Sequence, residues 1–289
     1  MKIIESYFYI LNQIKLITND KVESEAETIL IFTSRLFKEY FGQRLEKEDI
    51  FGKFSDQNLE KNILITLSKI ITKRSNGIPI QYILDEAWFY GYSFHVYKDD
   101  NNKTLIPRNE TEFIVEKFIE HSKTKSKNIS GIDIGTGSCC IPISVVLSSS
   151  NIVSFDAIDP FTFEIAKKNI SKYKLGKQIN LYNIGIEEIL NTFNKKYDII
   201  TANLPYIPED KKIKELDFEP SEALYAKDDG LHYIKMLINI LPVIIKKNGV
   251  AVIEIDPKHT DYLNNLKKFK VSIFKDLNNL DRVAEIKLR

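Results

Sequence analysis

Apolar and polar residues follow two different periods along the chain. Up to about residue 75, apolar side chains recur at helical spacing, as at Ile29, Phe32 and Leu36. From about residue 129, short apolar runs alternate with helical stretches, which is typical of a doubly wound α/β fold. We therefore predict a Rossmann-like sheet of seven strands preceded by a small all-helical N-terminal domain. The predicted strands are Ile129 to Ile134, Val153 to Ile158, Ile179 to Tyr182, Asp198 to Ala202, Gly249 to Ile255, Val271 to Phe274 and Val283 to Leu288.

The segment between these two regions has the pattern of a β-hairpin. Trp88 to Tyr97 is rich in aromatic residues and partly alternating, and Asp99 to Asn102 is a turn signal followed by Lys103 to Pro107. We predict a helical domain over 1–77, a hairpin linker over 78–107 and a Rossmann-like domain over 108–289. A helix is expected from Thr111 to Glu120, and the basic run from Lys123 to Lys127 is expected to be a solvated loop.

Composition narrows the function classes. The chain of 289 residues has a formal net charge of +1, which implies no general affinity for polyanions and leaves open a local basic patch. We expect no direct nucleic acid partner. No apolar stretch reaches membrane-spanning length, and the first 17 residues resemble an amphipathic helix more than a signal peptide. The two cysteines are adjacent and the four histidines are scattered, which predicts a reducing compartment and no metal. We expect a cytoplasmic monomer and leave open an organelle of bacterial origin.

A glycine-rich turn after the first predicted strand indicates a nucleotide cofactor. Gly135, Thr136, Gly137 and Ser138 close that strand and open a helix, and glycines allow a sharp turn close to a ligand. The carboxylate of Asp133, two residues earlier, suits a cationic ligand better than a phosphate. Asp159 ends the second strand, where an acidic residue typically bonds ribose hydroxyls.

A cationic, ribose-bearing, phosphate-free cofactor is S-adenosyl-L-methionine, and we predict that it binds here. Cys139 occupies a position where a third glycine is common, and a small thiol should still fit.

The tetrapeptide Asn203-Leu204-Pro205-Tyr206 follows another predicted parallel strand, and open α/β sheets bind ligands at such strand ends. The Asn203 side-chain oxygen and the Leu204 carbonyl could each accept an N–H bond from a planar amide or amine nitrogen. Pro205 would stiffen this loop, and Tyr206 would stack on the planar target and exclude water. This arrangement predicts methylation of that nitrogen by orientation and desolvation. A carboxylate acceptor would be rejected because it has no hydrogens to donate.

Several motifs together make the chain resemble the HemK/PrmC family, the glutamine methyltransferases of peptide-chain release factors. The resemblance runs from about residue 79 to about residue 255. The motifs that carry it are Pro79-Ile80-Gln81-Tyr82, Phe89 to Phe94, Leu105 to Glu112, Asp133 to Ser138, Asn203 to Pro208, Phe218-Glu219-Pro220 with Ala223-Leu224, and Asp229-Gly230-Leu231.

The resemblance implies that S-adenosylmethionine contacts Gly135, Thr136, Gly137, Asp159 and Asn203. It also implies that the loop Asn203 to Tyr206 holds the glutamine of a Gly-Gly-Gln loop in a release factor, and that the N-terminal domain helps to dock this partner. Arg108 and Glu112 are candidates for the substrate entrance.

The chain departs from the family pattern at four positions. Leu204 replaces the first of two usual prolines, although its carbonyl survives as an acceptor, and Asn109 stands where a proline is usual. Ile186 stands near the position where the family often has an aromatic or acidic residue beside the adenine ring of the cofactor, and it is our candidate for that contact. Asp256 stands where the family often has a glycine. These departures suggest a divergent member or one of reduced activity.

Two other functions compete with this interpretation. An adenine-N6 methyltransferase acting on RNA or DNA would use the same chemistry, and the Asn-Leu-Pro-Tyr loop resembles that of ribosomal RNA adenine dimethylases. Those enzymes usually have a glutamate-led glycine motif, whereas this chain has Asp133. The third reading is a non-catalytic scaffold that still binds the cofactor, which Leu204 and Asp256 would explain.

Overall fold

The computed structural model describes residues 1–124 and 128–289, so part of the predicted solvated loop, 125–127, lies outside the described residues. The described chain divides into two compact units, Met1–Glu86 and Ala87–Arg289. Among the residues described, no helix has the length and apolarity needed to cross a membrane.

The first unit is helical because each of its longer helices has one apolar face. In the first helix Ile3, Tyr7, Ile10 and Ile14 are buried, and this spacing of three to four residues places them on one side. Asp20 begins the second helix by accepting the Glu23 N–H at 2.7 Å, which satisfies a backbone donor that the helix leaves free. The helices of this unit are α1 Ile3–Thr18, α2 Lys21–Thr33, α3 Arg35–Phe41, α4 Lys47–Phe51, α5 Lys61–Ser75 and α6 Ile80–Leu84.

The second unit is built on a seven-stranded sheet, which confirms the predicted Rossmann-like fold. Its strands are β5 Asn128–Ile134, β6 Ile152–Ile158, β7 Ile179–Tyr182, β8 Tyr197–Ala202, β11 Ile245–Glu254, β12 Phe269–Lys275 and β13 Asp281–Leu288. Their order across the sheet is β12-β13-β11-β8-β5-β6-β7, and β13 runs in the direction opposite to the other strands of this sheet. The chain starts in the middle at β5, passes to β6 and β7 on one side and returns to β8 on the other.

Helices cover both faces of this sheet. One buried cluster contains Phe118, Ile143 and Ala166, and the other contains Ile189, Leu237 and Leu263. Because the central strands are buried on both faces, they read as continuous apolar runs rather than as alternating ones. The helices are α7 Glu112–Ser122, α8 Cys140–Ser148, α9 Phe163–Lys172, α10 Ile189–Thr192, α11 His232–Ile244 and α12 Thr260–Asn264.

The region predicted as one hairpin contains two. β1 Ala87–Phe89 pairs with β2 Tyr92–Phe94, and β3 Tyr97–Asp99 pairs with β4 Asn102–Lys103. The pattern missed the first turn, because Tyr90 takes a positive φ of 51° beside Gly91, a conformation that non-glycine residues seldom adopt. Phe89 and Phe94 pack into the core of the second unit, so the first hairpin belongs to that unit. A last short pair, β9 Ile207–Pro208 with β10 Tyr225–Ala226, follows the fourth predicted strand.

Candidate active site

The register of the central strands brings the predicted site residues to one edge. Ile134 at the end of β5 pairs with Ile158 of β6 and with Ala202 of β8. The residues that follow these three, Gly135, Asp159 and Asn203, therefore leave the sheet side by side at the carboxyl ends of parallel strands. The chain reverses its direction of winding at β5, and α/β folds form their ligand crevice at such a point.

The glycine-rich turn depends on left-handed backbone conformations. Gly135 has φ +72°, Gly137 has φ +53° and Cys139 has φ 64°. The N–H groups of Gly135 and Thr136 both donate to the Ile158 carbonyl at 3.0 Å, which fixes the turn against the neighbouring strand. A Cβ on Gly135 would lie 3.2 Å from Leu204 Cδ2, so this glycine also permits close approach of the loop after β8.

Asp159 organises this turn through both of its carboxylate oxygens. Oδ2 accepts the Gly137 N–H at 3.0 Å, and Oδ1 accepts the N–H groups of Phe161 at 2.8 Å and Thr162 at 3.0 Å. The predicted role was a ribose contact. The structure places Asp159 on the cleft wall, where Oδ2 still has acceptor capacity beyond the Gly137 bond. The ribose contact stays a prediction, and the backbone role is one that the sequence did not reveal.

Asp133 lies behind the turn rather than on the cleft wall. Its side chain is fully buried, and Oδ1 accepts the Thr201 hydroxyl at 2.6 Å. Burial raises the pKa of Asp133 to about 6, against the lowering effect of hydrogen bonds from Thr136 and Thr201. Cys139 is likewise buried and lies off the wall, where burial raises the pKa of its thiol well above the ordinary value. Both residues remain predicted cofactor neighbours.

A cleft of about 1120 Å³ opens above the strand ends. Thr136 and Ser138 lie on its wall, and Gly137 leaves open space where a Cβ would stand. The turn therefore has room for a ligand that approaches its backbone closely. Phe161, which is 61% exposed, adds an aromatic face that the sequence reasoning missed. The predicted residues on this wall are Arg108, Gly135, Thr136, Gly137, Ser138, Asp159, Ile186, Asn203, Leu204 and Pro205.

A second cavity of about 470 Å³ lies on the other side of the Asn203 loop. Its wall includes Tyr206 and Glu254, and it shares Arg108, Asn203 and Leu105 with the cleft. Asn203 therefore stands between the two spaces, where one side could hold a methyl donor and the other a methyl acceptor. Leu204 is 7% exposed and packs towards Gly135, so its apolar side chain fills the gap between loop and turn.

The two remaining substrate candidates are placed differently. Arg108 lines both spaces, and an ion pair with the buried Glu219 fixes its guanidinium. Glu219 also accepts the Ile106 N–H at 3.0 Å, so it braces the segment that carries Arg108. Glu112 lines neither space and instead accepts the Tyr90 N–H at 2.6 Å, which supports the turn of the first hairpin. Its contact with substrate stays a prediction.

Sequence reasoning missed Glu254, which ends β11 beside the loop Asn203 to Tyr206, which we call the acceptor loop. Ile253 pairs with Ala202, so Glu254 and Asn203 leave adjacent strands at the same level. Glu254 is 3% exposed, its Oε1 accepts the Tyr206 hydroxyl at 3.0 Å, and its Oε2 accepts the Thr111 hydroxyl at 2.6 Å. Thr111 in turn contacts Asn203 Nδ2 at 3.0 Å. Burial raises the pKa of the Glu254 carboxyl above its ordinary value, against hydrogen bonds from Thr111 and Tyr206.

Comparison with known proteins identifies related methyltransferases. The sequence pattern of the family described as ribosomal protein L11 methyltransferase (PrmA) matches residues 111–206. A release factor glutamine methyltransferase of Mycoplasma mycoides subsp. mycoides SC is 33% identical over 243 residues, which cover 80% of this chain and 84% of that protein. The protein of the same name in Bacillus subtilis (strain 168) is 30% identical over 272 residues, covering 90% of this chain and 89% of the relative.

The fold, the glycine turn with its cleft and these matches define an S-adenosylmethionine-dependent methyltransferase. More narrowly, the chain belongs to the release factor glutamine methyltransferase family, which confirms the resemblance to HemK/PrmC. The cofactor is S-adenosyl-L-methionine, and the open space at Gly137 beside the Asp159 carboxylate on the cleft wall fits such a polar ligand.

Proposed function

We propose that this protein methylates the side-chain amide nitrogen of the glutamine in the Gly-Gly-Gln loop of a peptide-chain release factor. The observation that carries the proposal is the position of the Asn203 to Tyr206 loop between the cofactor cleft and a second cavity. Relatives that bear this activity in their names, at about one third identity over most of their length, support the choice of acceptor.

The loop suits a neutral amide nitrogen. The Asn203 side-chain oxygen and the Leu204 carbonyl would each accept one N–H bond, which would hold the nitrogen in place while the Tyr206 ring covers the amide plane. Held by the turn Gly135 to Ser138 and by Asp159, S-adenosylmethionine would supply an electrophilic methyl group on a sulfonium. The acceptor nitrogen would give up one N–H proton to solvent in exchange for this methyl group.

The buried acceptors compensate for a weak nucleophile. An amide nitrogen shares its lone pair with the neighbouring carbonyl, so the site must favour the positive charge that develops during transfer. Two fixed oxygen acceptors would do so, and their interactions with the nitrogen would be stronger than in bulk solvent where the Tyr206 ring covers the bound amide. A glutamate side chain would direct two oxygens at these acceptors and would be rejected.

The proposal is tested by offering two acceptors to the purified protein with methyl-labelled cofactor. One is a release factor with an intact Gly-Gly-Gln loop, and the other is a ribosomal RNA fragment that contains unpaired adenines. We expect label in the release factor, located by tandem mass spectrometry on that glutamine, and no label in a version with glutamate at this position. Label confined to the RNA would favour the adenine-N6 alternative. Cofactor binding without transfer to either acceptor would favour the scaffold.

A further inference from the structure

One side chain, Thr111, links Asn203 to the Glu254 carboxylate at the end of β11. Asn203 Nδ2 lies 3.0 Å from Thr111 Oγ1, which lies 2.6 Å from Glu254 Oε2. Thr111 is 3% exposed and Glu254 is also 3% exposed, so bulk water does not compete for these bonds. These contacts form a chain of defined order, which we call the Glu254 relay: Glu254, Thr111 and Asn203.

The chemistry of an ionised carboxylate fixes the direction of every bond in this relay. A carboxylate has no proton to donate, so the Thr111 hydroxyl must donate to Glu254. That hydroxyl has only one proton, so towards Asn203 it can only accept. Asn203 must therefore turn its NH₂ group to Thr111, which leaves its side-chain oxygen for the acceptor cavity.

We propose that Glu254 is a positioning residue that sets the hydrogen-bond polarity of the acceptor site, because it forces Asn203 to present an oxygen rather than an NH₂ group to the methyl acceptor. The inference rests on the proposed function only for the acceptor used in the assay, since any neutral NH₂ acceptor needs the same polarity.

Tyr206 is held by the same carboxylate. Its hydroxyl donates to Glu254 Oε1 at 3.0 Å, so one buried group fixes both the orientation of the Asn203 amide and the position of the ring that lies on the cavity wall.

Protonation would give Glu254 a donor and would release the Thr111 proton for Asn203. The charged and titratable groups that act on Glu254 are Tyr206 from the loop, Arg282 from β13 and Glu110 from the turn before α7.

The test replaces the carboxylate by an amide of the same shape. In Glu254→Gln the new NH₂ group can donate to Thr111, so the Thr111 proton becomes available to Asn203 and the polarity is no longer fixed. We expect kcat/KM for the release factor to fall by about 10- to 100-fold while the Kd for S-adenosylmethionine changes less than about threefold. Competitive inhibition by the glutamate form of the release factor should strengthen, because an NH₂ group now faces the cavity.

Two further variants separate polarity from packing. Thr111→Val keeps the shape but breaks the relay, and it should lose activity as Glu254→Gln does, whereas Thr111→Ser should retain it. Glu285→Gln is the matched control, because Glu285 is a 7% exposed carboxylate on the neighbouring strand that pairs with His121 instead of the loop. It should leave transfer within about twofold of the wild type.

A measurement without turnover keeps this test independent of the acceptor. The side-chain ¹⁵NH₂ signals of Asn203, assigned by their loss in Asn203→Ser, should shift as Glu254 titrates and should stop shifting in Thr111→Val. Failure of the wild type to methylate a release factor would refute the proposed function and leave this titration as the test of the relay. The relay would be overturned if the Asn203 signals did not shift as Glu254 titrates. It would also be overturned if Glu254→Gln methylated at the wild-type rate with unchanged inhibition by the glutamate form, or if Glu285→Gln lost as much activity as Glu254→Gln.

Discussion

Asp133 illustrates how one buried carboxylate links stability to cofactor chemistry. Its Oδ1 accepts the Thr201 hydroxyl, and the side chain is fully buried. A fully buried carboxylate is costly to ionise, and burial accordingly raises its pKa to about 6. A cationic ligand would favour the ionised form, which is what the sequence predicted for a carboxylate at this position.

The raised pKa of Asp133 predicts a pH-dependent loss of stability without cofactor. Because the folded-state pKa of about 6 exceeds the ordinary value of 3.8, the contribution of Asp133 is fully present below the lower value and is lost as the pH rises through the higher one. Between pH 4.5 and 7.5, the free energy of unfolding of Asp133→Asn should rise relative to the wild type by about 2 kcal/mol. Urea denaturation at the two pH values measures this difference.

Asp198 provides a control of opposite sign. Burial opposes its ionisation, but the Lys246 ammonium and the Ser130 N–H and hydroxyl outweigh burial and lower its pKa. Its contribution is present above the unfolded pKa and is lost on acidification, so the relative stability of Asp198→Asn should fall as the pH rises. A flat or falling difference for Asp133→Asn would contradict the burial argument.

At the scale of elements, the acceptor loop is held by a turn that precedes α11. Asp228, Asp229 and Gly230 all have positive φ, and a Cβ on Gly230 would lie only 2.0 Å from the Tyr206 carbonyl oxygen. Only glycine therefore lets this turn pack against the loop. The sequence marked Asp229-Gly230-Leu231 as a motif, but the contact that requires the glycine spans the chain from residue 206 to residue 230.

Gly230→Ala should displace the acceptor loop. We expect its methyl-transfer rate to fall by at least about tenfold, because a displacement near 1 Å is enough to disrupt a reacting geometry. Gly91→Ala is the matched control, since Gly91 also has a positive φ of +76° but nothing lies within 4 Å of its Cβ position. Both variants carry a similar backbone strain of about 1–2 kcal/mol, visible as a lower unfolding midpoint. Equal transfer rates in the two variants would show that the contact with Tyr206 is not needed.

The strands and the cofactor turn were predictable because their signals are local. A parallel strand buried on both faces reads as an apolar run, and the residue just after it faces the ligand crevice, which identified Gly135, Asp159 and Asn203. Glu254 also follows such a run, but its partners Thr111 and Tyr206 are 143 and 48 residues away. Nothing local distinguishes it from an exposed strand-end carboxylate. The turn at Tyr90 was missed because a tyrosine with positive φ has no sequence signature.

At the scale of the whole molecule, charge does not select the acceptor. The formal net charge is +1, so long-range attraction to a polyanion is weak and recognition must come from the shape and polarity of the site. The six-helix unit Met1–Glu86 has its own apolar core, and the site described above lies wholly within Ala87–Arg289. Docking of a release factor by the helical unit stays a prediction, as do the monomeric state and the cytoplasmic location.

The most direct measurement of the central claim is a single-turnover assay of Asn203→Ala with an intact release factor. The account predicts that transfer to the glutamine falls by at least about 100-fold, because one of two acceptors that orient the nitrogen is lost. Asn265→Ala, at an exposed helix end where the side chain bonds only the Asp261 carbonyl among the contacts described, should transfer at the wild-type rate. An Asn203→Ala enzyme that methylates the same glutamine at full rate would contradict the account.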